Sequence, residues 1–189
     1  MLWIPEAVWQ GLLENFDRAP EGVERVAFLD GVPVPPGLGG VVTTLTVPAA
    51  ALSPGNYRIG AAEMSAAGKH LRQHRLQRLA QVHTHGGTCT THSPTDDAMA
   101  YSQHLGALSV VLPEHAQEDP DPWDGTVHVR GAAGWTELSR DEAISLIRIV
   151  PVQIDQSQYP KEAARWKQSR TGIPARLEAL WSRMTKASH

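Results

Sequence analysis

Two short apolar runs constrain this chain most. Residues 79–85 end in Gln81-Val82-His83-Thr84-His85, and residues 108–112 read Leu108-Ser109-Val110-Val111-Leu112. Runs of this length, bounded by turn residues, read as strands, and the second is continuous enough for a buried one. Between them lie the loop residues Gly86-Gly87 and a helix start at Ser93-Pro94. A strand, a loop, a helix and a buried strand in this order point to a mixed α/β arrangement.

The rest of the chain fits that frame. Val8, Leu12 and Phe16 recur at helical spacing, and they predict a helix over 4–17 with Pro5 near its start. A strand is expected over 23–29, closed by a turn at Asp30-Gly31. Residues 31–40, rich in proline and glycine, read as a loop or hairpin tip. Threonine and β-branched residues predict a strand over 41–47. Pro48 and Pro54-Gly55 mark a loop, followed by a short strand at 57–59. Helices are expected over 60–78, from 93 to about 104, and over 141–149, with strands at 126–130 and 135–138. The fold class is therefore α/β (α+β), in one domain over 1–150. A separate helical tail covers 151–189, carrying Trp166 and Trp181 and broken at residues 172–174.

Composition excludes several functions. The hydrophobic fraction of 41% is too high for wholesale disorder. No apolar run approaches the roughly 18 residues of a membrane span, so no membrane partner is expected. The net charge of −3 hides a basic tail, with seven Lys and Arg against three Asp and Glu in 151–189, on an acidic body. An acidic body argues against nucleic acid as a partner. The N-terminal stretch lacks a basic leader and does not read as a signal peptide. Lone Cys89 excludes a disulfide framework and a cysteine-rich zinc module, and it fits a reducing, cytoplasmic setting. A metal site must then come from the nine histidines and the carboxylates.

His83 and His85 stand two apart on the predicted strand, so their imidazoles project from one face. The loop after them is long enough to return the chain to the strand end. Ser93 and Asp96 then open the next helix, and Asp96 can offer a carboxylate to the same ion. Two histidines, one aspartate and an open fourth position describe a catalytic zinc site.

His83-Thr84-His85 and Ser93-Pro94-Thr95-Asp96 resemble the JAMM motif of JAB/MPN-domain metalloproteases, H-[ST]-H-P-x6-S-x-x-D after an upstream glutamate. Glu24, followed by Ala27, Leu29 and Gly31, is similar to that family's upstream signature. Gly86 stands where the family has proline, and Ala27 where it has glycine. The likeness extends over about residues 5–150 and is greatest to prokaryotic JAB-domain proteins. It implies an MPN fold, a cytidine-deaminase-like mixed sheet flanked by helices. It also implies one Zn2+ per chain on His83, His85 and Asp96, with Glu24 as the base and Ser93 as an oxyanion donor. The activity implied is deubiquitinase-like: an isopeptidase or peptidase cutting after the C-terminal glycine of a ubiquitin-like β-grasp protein. Activating or conjugating enzymes of the same pathway become candidate partners. Release of an amino acid such as cysteine from a sulfur-carrier protein, and a non-catalytic MPN scaffold, are the alternatives.

Other residues read more plainly. Ser93-Pro94-Thr95-Asp96 is also an ordinary helix start. Glu21 and Glu63 rival Glu24 as the upstream acid. His92 is expected as a solvated loop histidine and Cys89 as an inert loop thiol. His70 and His74 sit in a cationic run and read as a solvated helix face.

Overall fold

The computed structural model describes residues 1–34 and 39–152. The helical tail expected over 151–189 falls, past Val152, outside the described residues. A short strand, β1 (Leu2–Pro5), leads directly into α1 (Glu6–Asp17). Then come β2 (Val26–Pro33), β3 (Gly40–Thr46), β4 (Ala50–Ser53), β5 (Asn56–Ile59) and α2 (Ala61–His74). The second half runs β6 (Gln77–Thr84), α3 (Pro94–Met99), β7 (Leu108–Leu112), β8 (Thr126–Gly131), β9 (Gly134–Glu137), α4 (Arg140–Leu146) and β10 (Ile147–Val150). Eight strands form one mixed sheet in the order β10-β1-β3-β2-β6-β7-β8-β9, and β4 and β5 pair as a separate hairpin. This is the α+β class expected, with helices flanking the sheet.

Period-two alternation sorts the central strands into two faces. On one face Leu2, Ile4, Ala27, Leu29, Val42, Ala80, Val82, Leu108, Val110 and Leu112 are fully buried. They pack with Trp9, Leu12, Leu13 and Phe16 of α1 and Ala143 of α4 in one apolar cluster. The opposite face is mixed. Val26 and Phe28 bury against Ile59, Met64, Tyr57 and Tyr101, while β6 and β7 present Gln81, His83 and Ser109 there, all buried. Burying polar groups on the sheet's central strands costs free energy unless each finds a partner.

β6 lies between an antiparallel and a parallel neighbour. His83 is opposite Val26 of β2 and opposite Val111 of β7. A strand hydrogen-bonded on both sides holds its side chains rigidly, which suits a site that needs fixed geometry.

Several elements differ from the sequence reading, each for a physical reason. Asp30-Gly31 does not close β2. The strand passes through a bulge there, and a Cβ on Gly31 would stand 2.0 Å from the carbonyl oxygen of Val41. The glycine answers close backbone approach rather than a turn. Pro54-Gly55 is the tip of the β4–β5 hairpin, not part of an open loop. The first helix begins at Glu6 because residues 2–5 pair as a strand with both β3 and β10. The helices expected over 93–104 and 141–149 end at Met99 and Leu146. Among the described residues no helix is long and apolar enough to cross a membrane.

One buried ion pair stiffens β2 against β6. Arg78 Nε donates to Asp30 Oδ1 at 3.1 Å, and Thr46 Oγ1 donates to Asp30 Oδ2 at 2.7 Å. The guanidinium also lies 3.4 Å over the ring of Phe28. Removing one partner strands the other charge in the interior. Asp30→Ala is expected to lower the unfolding free energy by about 3–5 kcal/mol in urea denaturation. The double replacement of Asp30 and Arg78 by leucine should cost clearly less. A loss below about 1 kcal/mol in Asp30→Ala contradicts this account of the pair.

Candidate metal centre

The end of β6 brings two imidazoles together. His83 has no exposed surface, and His85, one residue beyond the strand, continues the pairing by donating its backbone N–H to Leu112 O at 2.9 Å. The ring centroids lie 5.2 Å apart. Each ring faces the carboxylate of Asp96. His83 Nε2 is 3.4 Å from Asp96 Oδ1, and His85 Nε2 is 3.5 Å from Asp96 Oδ2. One ligand atom from each of the three residues fits within 4.8 Å of the others.

Local hydrogen bonds hold these groups. Ser93 is the N-cap of α3, and its hydroxyl accepts from the backbone N–H of Asp96. In return Asp96 Oδ2 accepts from both Ser93 N and Ser93 Oγ at 2.7 Å. This capping box fixes the carboxylate. His85 Nδ1 lies 2.8 Å from the Cys89 carbonyl oxygen. A carbonyl only accepts, so Nδ1 carries a proton, which leaves Nε2 as the nitrogen that faces Asp96. In His83 both ring nitrogens are buried without a hydrogen-bond partner. A buried imidazole left in this way is costly, and a cation between His83, His85 and Asp96 satisfies Nε2. The donor set of two imidazoles and one carboxylate suits a divalent first-row ion.

The electrostatics agree with that use. Burial lowers the pKa of His83, against the pull of Asp96. Contact with Asp96 raises that of His85. Burial alone would raise Asp96, but the two imidazoles and Ser93 outweigh it and hold the carboxyl well below the usual range. Glu24 lies just before β2. The Val26–His83 pairing, carried on by hydrogen bonds between Arg25 and Thr84, sets it opposite His85. Burial raises its pKa; His85 opposes the rise and Asp96 adds to it.

The structure thus groups His83, His85, Ser93 and Asp96, with Glu24 across from His85. A cleft of about 230 Å3 opens over Asp96, lined by Asn56, Tyr57, Arg58, Thr95 and Tyr101. Two tyrosines hold its wall. Gln81 Nε2 donates to Tyr57 Oη at 2.9 Å, and Gln81 Oε1 accepts from Tyr101 N. The Tyr57 ring stands 5.6 Å from that of His83.

Sequence reasoning missed these supports. Gln81, Ser109, His128 and Glu137 are opposite one another across β6, β7, β8 and β9, a polar row beside His83. Their signal was Gln81, two residues before His83 on the same face, and Ser109, a polar residue inside the apolar run 108–112. His92 is not a solvated loop residue: its side chain is 4% exposed and is enclosed by this row. Cys89 is exposed. At Gly86 a Cβ would come 3.1 Å from His115 Nε2, so a bulkier residue requires His115 to yield.

No family model matches the chain. Over 67 residues it is 39% identical to the "Probable metalloprotease y4jG" of Sinorhizobium fredii (strain NBRC 101917 / NGR234). That match covers 33% of this chain and 39% of the relative's length. The solution structure of protein DSY2949 from Desulfitobacterium hafniense superposes with a TM-score of 0.59 at 16% identity. The superposition covers 83% of this chain and 97% of that one, a likeness of fold.

The acid–base order of the site can be read directly. In the metal-free protein His85 should titrate above the ordinary imidazole value of about 6.5, and His83 below it. His85 then adds stability while protonated, and the contribution is lost as pH rises through its raised pKa. Asp96, with its pKa depressed, contributes above the ordinary carboxylate range and loses that contribution as pH falls. Imidazole NMR of the metal-free protein checks the order; His83 titrating above His85 contradicts it.

Proposed function

We propose that this protein is a zinc-dependent metallohydrolase of the JAMM type. Its proposed reaction is cleavage of a peptide or isopeptide bond after the C-terminal glycine of a ubiquitin-like β-grasp protein. The observation that carries the reading is buried His83, whose Nε2 has no hydrogen-bond partner and faces the carboxylate of Asp96 beside His85. One donor atom from each of the three residues lies within 4.8 Å of the others, close enough for them to share one ion. The partial likeness to a probable metalloprotease supports the hydrolase class, and the resemblance of motif and spacing supports the finer one.

His83, His85 and Asp96 would hold the ion. Bound there, zinc supplies Lewis acidity that makes a water a nucleophile at neutral pH and polarises an amide carbonyl. The remaining work falls to this chain's own groups. Glu24, opposite His85 and half-buried, accepts a proton from the attacking water on its carboxylate and returns it to the leaving amine. Its raised pKa makes the protonated form easier to reach, as an acid–base group requires. The Ser93 hydroxyl holds Asp96 in place and lies at the edge of the site, where it can turn to donate to a developing oxyanion. The cleft over Asp96, lined by Tyr57 and Tyr101, offers room for a substrate segment beside the site.

The test is cleavage of a ubiquitin-like domain fused through its C-terminal glycine to a reporter. Zinc-loaded protein should release the reporter, and a chelator should stop it. Glu24→Gln should reduce the rate about 100-fold or more while still binding zinc. Equal rates with and without chelator would sink the proposal.

A further inference from the structure

The residue between the metal-site loop and α3 has no role in the scheme above, yet it is held from every side. His92 Nδ1 lies 2.9 Å from Asp97 Oδ1, and its Nε2 lies 2.9 Å from Ser109 Oγ. Its ring stacks on His128 with centroids 3.7 Å apart and planes 13° apart. The edge of Trp135 meets it at 5.4 Å, and the His83 ring is 5.9 Å away. An ionised carboxylate only accepts, so Nδ1–H donates to Asp97, while Nε2 bonds to the Ser109 hydroxyl. Both ring nitrogens are used.

These bonds join α3 to the sheet. α3 is six residues long, too short to be stable alone. Ser109 lies on β7, fully buried and opposite both Gln81 and His128 in the sheet. His92 thus ties the first turn of α3 to the sheet. A second tie lies past the other end of α3, where Tyr101 N donates to Gln81 Oε1. Asp96 and Asp97 are neighbours on that first turn, about 100° apart around the helix axis. Fixing Asp97 therefore fixes the rotation that aims Asp96.

We propose that His92 is a positioning residue. Through Asp97 and Ser109 it locks the first turn of α3 on the sheet and so sets the Asp96 carboxylate opposite His83 and His85. The consequence for a metal rests on the function proposed above; the hold on α3 does not.

His92→Phe tests this in the full chain. Phenylalanine keeps a flat ring against His128 and Trp135 but makes neither hydrogen bond. In the metal-free protein, the backbone N–H groups of Asp96 and Asp97, which bond to Ser93, should exchange with deuterium about tenfold faster or more. Those of β7 should keep their wild-type rates. Zinc affinity, measured by chelator competition, should fall by about tenfold or more. Asp97→Ala, at a site whose side chain is 55% exposed, removes one of the two bonds without burying anything new and should move both readouts the same way. Exchange at Asp96 and Asp97 that is unchanged in both variants overturns the proposal. So does unchanged zinc affinity despite faster exchange, or wild-type α3 amides that are already unprotected. If exchange quickens in the variants but the wild type binds no zinc, His92 holds α3 as stated and the metal reading fails instead.

Discussion

A fully buried histidine with neither ring nitrogen hydrogen-bonded is the constraint around which this structure is arranged. His83 sits near the end of the strand most enclosed by the sheet, between an antiparallel and a parallel partner. Nothing at that position can relax toward water. Its environment must supply a partner, and the groups that converge on it are a second imidazole and a carboxylate. Such a site combines desolvation, which keeps His83 neutral, with a nearby negative charge that a cation can share. His83 is kept neutral and Asp96 ionised, the forms in which they can bind a metal.

The two faces of the sheet divide the labour. α1 and α4 cover the apolar face, whose cluster supplies the bulk of the hydrophobic burial. The other face carries polar residues in phase on neighbouring strands, each with a task. Gln81 holds the tyrosine wall of the cleft, Ser109 meets His92, and His128 stacks on His92. Burial pushes the His128 pKa down to about 4, so the stack is made by a neutral ring at physiological pH. Polar groups in an interior stabilise only when satisfied. Here Gln81 and Ser109 are satisfied by reaching into the elements that frame the site, which links the core to the ligands.

Much of this was legible in the sequence, because the information is local. Histidines two apart in a strand share a face, Ser-Pro-Thr-Asp starts a helix, and an apolar run such as 108–112 must be buried; each depends on a few adjacent residues. What was not legible depends on distant partners. β1 and β10 are four residues each and exist because they pair in parallel with one another across nearly the whole described chain. A four-residue segment ending in Pro5 looks like the lead-in to the helix it precedes. Gly31 looked like a turn because the carbonyl that excludes a side chain there comes from another strand. His92 looked solvated for the same reason: its neighbours Ser109, His128 and Trp135 are 17 or more positions away.

Buried His83, its Nε2 facing Asp96 beside His85, is proposed to share one metal ion with them. Metal analysis of the protein purified without chelator tests it most directly. One divalent ion per chain is expected, absent after Asp96→Asn with the fold retained. Metal-free wild-type protein that takes up none when zinc is supplied, or equal metal content in Asp96→Asn, would contradict it.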